Sequence, residues 1–244
     1  MGIRFTGTNN QRIILNSPTN PTNGNDNGGP CTFMVWLKLD ATSTPNAQVI
    51  VQNDDNLEME CLPGSSVINV WNGGSDTATS FTAVLGQWVH LCGAGTVAGA
   101  WNFYANGSPI LALASSNNVA ASGNSGLGVG NVSVGNEPAS GVFSNLKVWR
   151  RILSVGEIRG EVYSKAPAAK GAYAWFPLTT LDIANLADRA ESPGVAARGL
   201  SQFAVACLPA EEPPFKRNRQ VAVPRQWPIP RSGPDGLRFR VRGT

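Results

Sequence analysis

The sequence feature that most constrains the fold is residues 141–165, where a strand-like alternation ends at a helix-capping motif. Val142 and Leu146 fall on one face of the alternating part, and Phe143 and Trp149 fall on the other. A period of two residues is that of a β-strand, and apolar side chains on both faces indicate a strand that is covered on both sides. We therefore predict a central strand here, with Val142 and Leu146 on the same face.

The alternation ends at Ser154, which begins the pattern S-x-x-E with Glu157. In such a capping box the serine hydroxyl and the glutamate carboxylate bind backbone amides that the first turn of a helix leaves without partners. Ile158 and Val162 then supply one apolar stripe, and residues 165–167 (Lys-Ala-Pro) stop the pattern. The sequence predicts one short helix that is held against the preceding strand by packing.

Before residue 141, apolar segments recur about every 8 to 12 residues between breaks of Gly, Asn and Asp, which is the rhythm of a β-sandwich. Asn106-Gly107 is the strongest hairpin signal in the chain, because both residues tolerate the positive φ angles of a two-residue turn. This pattern predicts roughly twelve or thirteen strands in two sheets.

Five segments in this order resemble the LamG-like, concanavalin A-like jelly-roll family: Thr32–Lys38, Gln87–Leu91, Asn102–Gly107, residues 141–165 and Ala172–Leu178. The resemblance covers roughly residues 1–180 and implies an all-β jelly-roll sandwich of two antiparallel sheets with one short helix. This fold serves lectins, glycosidases, adhesion modules and structural proteins, so the fold alone does not determine the function. We divide the chain into a jelly-roll domain (1–180), a connecting segment (181–210) and an extended C-terminal arm (211–244).

The C-terminal arm differs in composition from the rest of the chain. It holds eight Lys/Arg against three Asp/Glu, a net charge of +5, while the whole chain carries +3, so residues 1–210 come to −2. Its prolines favour extended backbone, and a segment of this kind makes no core of its own. We predict that it binds partner subunits through two kinds of side chain, aromatic anchors and rim arginines. These residues are Phe215, Arg217, Arg219, Arg225, Trp227, Arg231, Arg238, Phe239 and Arg240.

The candidate catalytic residues do not form a recognisable catalytic set. His90 lies in mid-strand and the sequence places no nucleophile and carboxylate beside it, although Cys92 shares its face. Glu58 and Glu60 share a strand face, but the third carboxylate of the related glycosidases' E-x-D-x-x-E pattern is missing, with Asn56 where another acid would stand. We interpret the two glutamates as a solvated or lightly paired strand face and predict that the protein is not an enzyme.

No cofactor is predicted. The segments Asn23–Asn27 and Asn53–Asn56 combine Asp and Asn, which is typical of turns, with a calcium site as the alternative. The four cysteines are widely spaced, which favours buried free thiols, with a disulfide or a zinc site as the alternatives. Four aromatic residues are candidates for stacking on sugar rings, although a sandwich buries most such side chains in its core: Trp71, Trp101, Tyr104 and Trp149.

The N-terminal residues contain no apolar run of signal-peptide length, and no stretch approaches the roughly 18 to 20 apolar residues of a membrane span. We expect a structural protein of a phage virion, made in the host cytoplasm: a capsid decoration (cement) protein on the capsid surface. Its partners would be the major capsid protein or other virion subunits and neighbouring copies of itself. Nucleic acid is disfavoured, because the arginines are scattered among prolines.

The alternative is a glycan-binding, lectin-like adhesion module that recognises a host glycan. Its binding surface would be the loops Ser17–Pro30 and Ser115–Gly126, or the concave face of a sheet.

Overall fold

The computed structural model describes the chain as two antiparallel sheets and one helix; the ranges described are 2–6, 12–15, 30–40, 47–52, 57–96, 99–115, 127–130, 139–178, 200–203, 208–210 and 213–215. The strands are β1 (Gly2–Thr6), β2 (Arg12–Leu15), β3 (Cys31–Leu39), β4 (Ala47–Gln52), β5 (Leu57–Cys61), β6 (Val67–Trp71), β7 (Asp76–Thr82), β8 (Trp88–Gly95), β9 (Trp101–Ala105), β10 (Ser108–Leu113), β11 (Leu127–Gly130), β12 (Ser140–Trp149), β13 (Ala172–Phe176), β14 (Leu200–Phe203) and β15 (Leu208–Ala210). The helix α1 spans Val155–Val162. This architecture confirms the predicted all-β jelly-roll sandwich.

The first sheet has eight strands in the order β10-β9-β8-β3-β12-β1-β15, and β13 also pairs with β12. Strand β12 is long enough to hold two partners along one edge: β1 pairs with its residues 140–143 and β13 with residues 146–149. Strand β3 lies along the other edge. Every residue of β12 except the first is buried, as the apolar side chains on both faces predicted.

The side chains of β12 do not keep one alternation along its whole length. Asn145 has a φ of 56°, and the register with β3 shifts between Ser144 and Lys147. Such a β-bulge inserts an extra residue and reverses which face the later side chains occupy. Phe143 therefore lies in the main core together with Leu146, and the prediction that Val142 and Leu146 share a face was wrong.

The second sheet has seven strands in the order β14-β2-β11-β4-β5-β6-β7. Alternate residues of β5 and β6, such as Leu57, Met59 and Val70, point into the core between the sheets. From the first sheet, Phe33, Leu91 and other apolar residues of β1, β3, β8, β9 and β12 meet them. The side chains on the outward-facing sides of both sheets are not part of this core.

The predicted capping box is present at the start of α1. The Ser154 side chain accepts from the backbone N–H of Glu157, and the Glu157 carboxylate accepts from the backbone N–H of Ser154. The buried Ile158 and Val162 face the sheet, where Ile158 joins a second apolar cluster with Met34 on the outer side of the first sheet. Packing therefore holds this two-turn helix, since isolated helices of this length are unstable.

The hairpin predicted at Asn106-Gly107 joins β9 to β10. The two residues have φ angles of 51° and 77°, as a two-residue turn of this type requires. The Asn106 side chain also accepts from the backbone N–H of His90, 2.9 Å away, which ties the turn to β8.

The range 181–210, interpreted above as a connecting segment, contains two strands. Strand β14 pairs with β2 at the edge of the second sheet, and β15 pairs with β1 at the edge of the first. Within the part of the chain that the structure describes, no helix has the length and apolar character that a bilayer crossing needs.

Candidate functional site

The outer face of the second sheet carries a row of side chains around Trp71, which we call the Trp71 row. Strand pairing places Trp71 directly opposite Glu58 of β5 and opposite Asp76 of β7. The neighbouring Val70 points into the core, so Trp71 points away from it. Side chains directly opposite on adjacent strands have Cβ atoms about 5 Å apart, so Glu58 and Asp76 are the cross-strand neighbours of Trp71.

Of the four candidate stacking residues, Trp71 is the one that is not buried. Trp101 and Trp149 are fully buried, and Tyr104 is 7% exposed. Trp71 is partly exposed. The prediction that a sandwich buries most of these aromatic residues is correct, and it leaves one of them at the surface.

A tight turn at the end of β6 presents further polar groups beside Trp71. Asn72 donates its backbone N–H to the carbonyl of Ser75, 3.1 Å away, and Gly73 has a positive φ of 61°. Asn72 is partly exposed and Asp76 is exposed. An amide and a carboxylate therefore lie within reach of solvent at the same edge as the Trp71 ring.

Glu58 and Glu60 are 3% and 2% exposed, and each has an interaction partner in the structure. The first part of the prediction, a solvated strand face, was wrong, whereas its second part, a paired strand face, agrees with these partners. Asn69 of β6 lies opposite Glu60 and is also buried. The negative charge of Glu60 adds to burial in raising the pKa of the adjacent Cys61 to about 12.

His90 and Cys92 do not form a reactive pair. Burial, with the positive charge of Lys147 as a smaller cause, lowers the pKa of His90 to about 3. Burial raises the pKa of the Cys92 thiol well above its usual range. Both side chains are therefore neutral at ordinary pH, and a thiolate–imidazolium pair of the kind that catalysis uses is not formed.

Cys31, Cys61 and Cys92 are buried free thiols, as predicted, whereas Cys207 lies outside the described residues. The two segments with calcium as the alternative lie outside them too, as do residues 17–29 and 116–126 of the two loops suggested for glycan binding. Among the residues that the structure describes, no group of three or more His, Cys, Asp or Glu side chains is arranged to hold a metal ion.

Of the predicted arm residues, Phe215 is described and the others are not. Its ring lies edge-on to Trp36 of β3, with the two ring centroids 6.1 Å apart. Pro213, two residues earlier, is buried. The start of the arm thus contacts the sandwich of its own chain, and the binding of partner subunits by the arm stays a prediction.

The sequence indicates Trp71 and Glu58 as separate candidates and does not predict the row that they form with Asp76. Two signals in the sequence point to it. Glu58 alternates with the core residues Leu57 and Met59, and the tight turn at residues 72–75 brings β7 back alongside β6. The register between strands β5 and β6, which brings these residues together, cannot be predicted from the sequence.

A family model matches residues 8–159, which is more than half of the chain; it describes the concanavalin A-like lectin/glucanases superfamily. No curated protein sequence matches the chain significantly.

Solved structures resemble the fold at low sequence identity. A candidate carbohydrate-binding protein from Bacteroides ovatus superposes with a TM-score of 0.51 at 15% identity, covering 72% of this chain and 52% of that one. A sialidase from Trypanosoma rangeli, in complex with the inhibitor DANA, gives 0.52 at 13% identity, covering 67% and 27%. A heptameric pentraxin from Limulus polyphemus gives 0.48 at 20% identity, covering 69% and 84%.

The chain thus spans about half of the Bacteroides protein and about a quarter of the sialidase. At these identities the likeness concerns the fold alone.

Proposed function

The chain belongs to the concanavalin A-like lectin/glucanases superfamily, and from this premise we propose that it binds a glycan at the Trp71 row. The observation that carries the proposal is the partly exposed Trp71 ring with the exposed Asp76 directly opposite it on β7. The alternative reading of the sequence, a lectin-like module, is therefore favoured over the capsid reading.

The chemistry of the row suits a sugar. The C–H face of a pyranose is apolar and packs on an aromatic ring, while its hydroxyl groups need hydrogen-bond partners. Asp76 and Asn72 supply an accessible carboxylate and amide beside the ring. Hydrogen bonds from a hydroxyl to a carboxylate are roughly twice as strong as those between neutral groups, so Asp76 would orient the bound sugar.

We propose binding without hydrolysis. Glycosidases bring two carboxyl groups to the scissile bond, one as acid and one as nucleophile or base. Glu58 and Glu60 are buried and partnered, so neither presents a carboxylate to a sugar lying on Trp71. Incubation with the glycan that binds should therefore release no reducing ends.

A glycan array followed by titration calorimetry tests this function. We expect Trp71→Ala to weaken binding of the array's best ligand at least tenfold, which corresponds to about 1.4 kcal/mol. Tyr163→Ala is the matched control, because Tyr163 is an aromatic residue 47% exposed at the end of the distant helix. An array without any ligand, or a Trp71→Ala protein that binds as the wild type does, would contradict the proposal.

A second candidate function follows from the arm. Its net charge of +5 and its prolines support docking onto other subunits, as in a capsid decoration protein on a virion surface. We expect a chain that lacks residues 216–244 to fold but to be left out of its particle, while glycan binding at Trp71 persists. Full incorporation of the truncated chain would refute this role.

A further inference from the structure

The outer face of the first sheet holds a cluster of four rings centred on Trp36. Its ring centroid lies 5.4 Å from that of His90, 6.4 Å from that of Trp88 and 6.1 Å from that of Phe215. Trp88 and Phe215 meet it edge-on and are partly exposed, whereas Trp36 is 3% exposed. We call these four residues the Trp36 cluster.

Among the residues that the structure describes, two buried polar atoms of this cluster have no hydrogen-bond partner. They are Trp36 Nε1 and His90 Nδ1, and in the described part of the chain no other buried side-chain nitrogen or oxygen shares this state. A buried donor or acceptor that is left unsatisfied destabilises the folded state. Since native proteins pair nearly all buried polar groups, two unpaired atoms on touching rings need an explanation.

The chemistry of the two atoms limits what pairs with them. Indole Nε1–H only donates, so its partner must accept. His90 is neutral, because burial holds the imidazole far from protonation, and a neutral imidazole offers one donor and one acceptor nitrogen. A hydroxyl group can both accept and donate, and the rings around it offer faces for apolar C–H groups.

From this arrangement we propose that the Trp36 cluster is a second binding site for a hydroxyl-rich ligand of the sugar class, covered by Phe215. Trp36 Nε1 would donate to one hydroxyl and His90 Nδ1 would bind a hydroxyl of the same sugar. The partly exposed Trp88 would contact its C–H face. This site lies on the opposite sheet from Trp71, and it does not depend on the function proposed for that row.

The cover is a short segment at the root of the arm. The backbone N–H of Phe215 donates to the carbonyl of Pro213, 2.8 Å away, and Pro213 itself is buried. This segment follows β15, which ends at Ala210, so it can leave without breaking a strand pairing. Ligand and Phe215 therefore compete for the same face of Trp36.

The experiment compares wild type with Phe215→Ala. The probes are methyl glycosides of glucose, galactose, mannose and N-acetylglucosamine with their β-linked tetramers, followed by saturation-transfer NMR and titration calorimetry. We expect at least one probe to bind Phe215→Ala five-fold or more tightly than wild type. Deletion of residues 213–244 removes the cover in a second way and should give the same gain.

Two further variants locate the effect. In the Phe215→Ala background, Trp36→Phe keeps a ring but removes the donor, and it should abolish the gain. Trp71→Ala in that background should leave the gain intact, which separates this site from the Trp71 row. The proposal is overturned if no probe gains affinity in either uncovered protein, or if a crystal structure shows one water bound to both nitrogens and no sugar at any concentration.

Discussion

The ion pair between Lys147 and Glu161 is fully buried and joins β12 to α1. The Lys147 Nζ atom lies 2.6 Å from Glu161 Oε2 and also donates to the carbonyl of Ser164, 2.7 Å away. The other carboxylate oxygen, Oε1, accepts the backbone N–H groups of Ala168 and Ala169, each at 2.6 Å. One pair of charges thus fixes the strand, the helix and the loop that follows.

We predict strong coupling between these two residues. Lys147→Met leaves a buried carboxylate, and Glu161→Gln leaves a buried ammonium while its amide oxygen still accepts the two N–H groups. Removing one partner of a buried pair costs about 3–5 kcal/mol. The double variant buries no charge, so we expect its loss in free energy of unfolding to be no larger than the loss of either single variant. This result corresponds to a coupling free energy of about 3 kcal/mol between the two residues.

Urea unfolding followed by tryptophan fluorescence measures the free energy of unfolding for all four proteins. Equal slopes with denaturant would show that the folded states are equally compact. If the two single losses simply add in the double variant, Lys147 and Glu161 do not act as a pair and the reasoning from their geometry fails.

Two further predictions concern the pH dependence and the helix. The folded pKa of His90 is about 3 against an ordinary 6.5, so as pH falls from 6.5 to 3 only the unfolded chain takes up this proton and stability should drop by several kcal/mol. His90→Gln should remove this part of the acid sensitivity in melts between pH 7 and 3; an unchanged profile would contradict it. Ser154→Ala removes the helix cap and should cost about 1 kcal/mol, with faster amide exchange confined to α1. Val155→Ala, an exposed change in the same turn, is the control, and equal effects of the two would refute the capping role.

Local patterns in the sequence were enough to predict much of the fold. Ser154 with Glu157, and Asn106 with Gly107, are signals within a few residues that satisfy a helix end or a tight turn by themselves. The resemblance in five segments then supplied the arrangement of the sheets. These predictions hold because each needs only neighbouring residues or a familiar order of elements.

The misses come from interactions between distant residues. The bulge at Asn145 lies between the residues of β12 that pair with β1 and those that pair with β13, and nothing in the sequence of β12 alone shows this. Glu58 and Glu60 alternate with core residues as an exposed face does, yet both are buried. Phe215 contacts Trp36, which lies 179 positions earlier in the chain, and no local pattern encodes this contact.

The topology sets the order in which the chain can assemble during synthesis. Strand β1 pairs with β12 and β15, and β2 pairs with β11 and β14. The first two strands to be synthesised therefore cannot pair until these later strands have been made. At about 5–20 residues per second, the ribosome needs roughly 10–30 s to reach β12. During that interval the unpaired edges of β1 and β2 are open to other chains, and a trigger-factor type of chaperone on the nascent chain should raise the soluble yield.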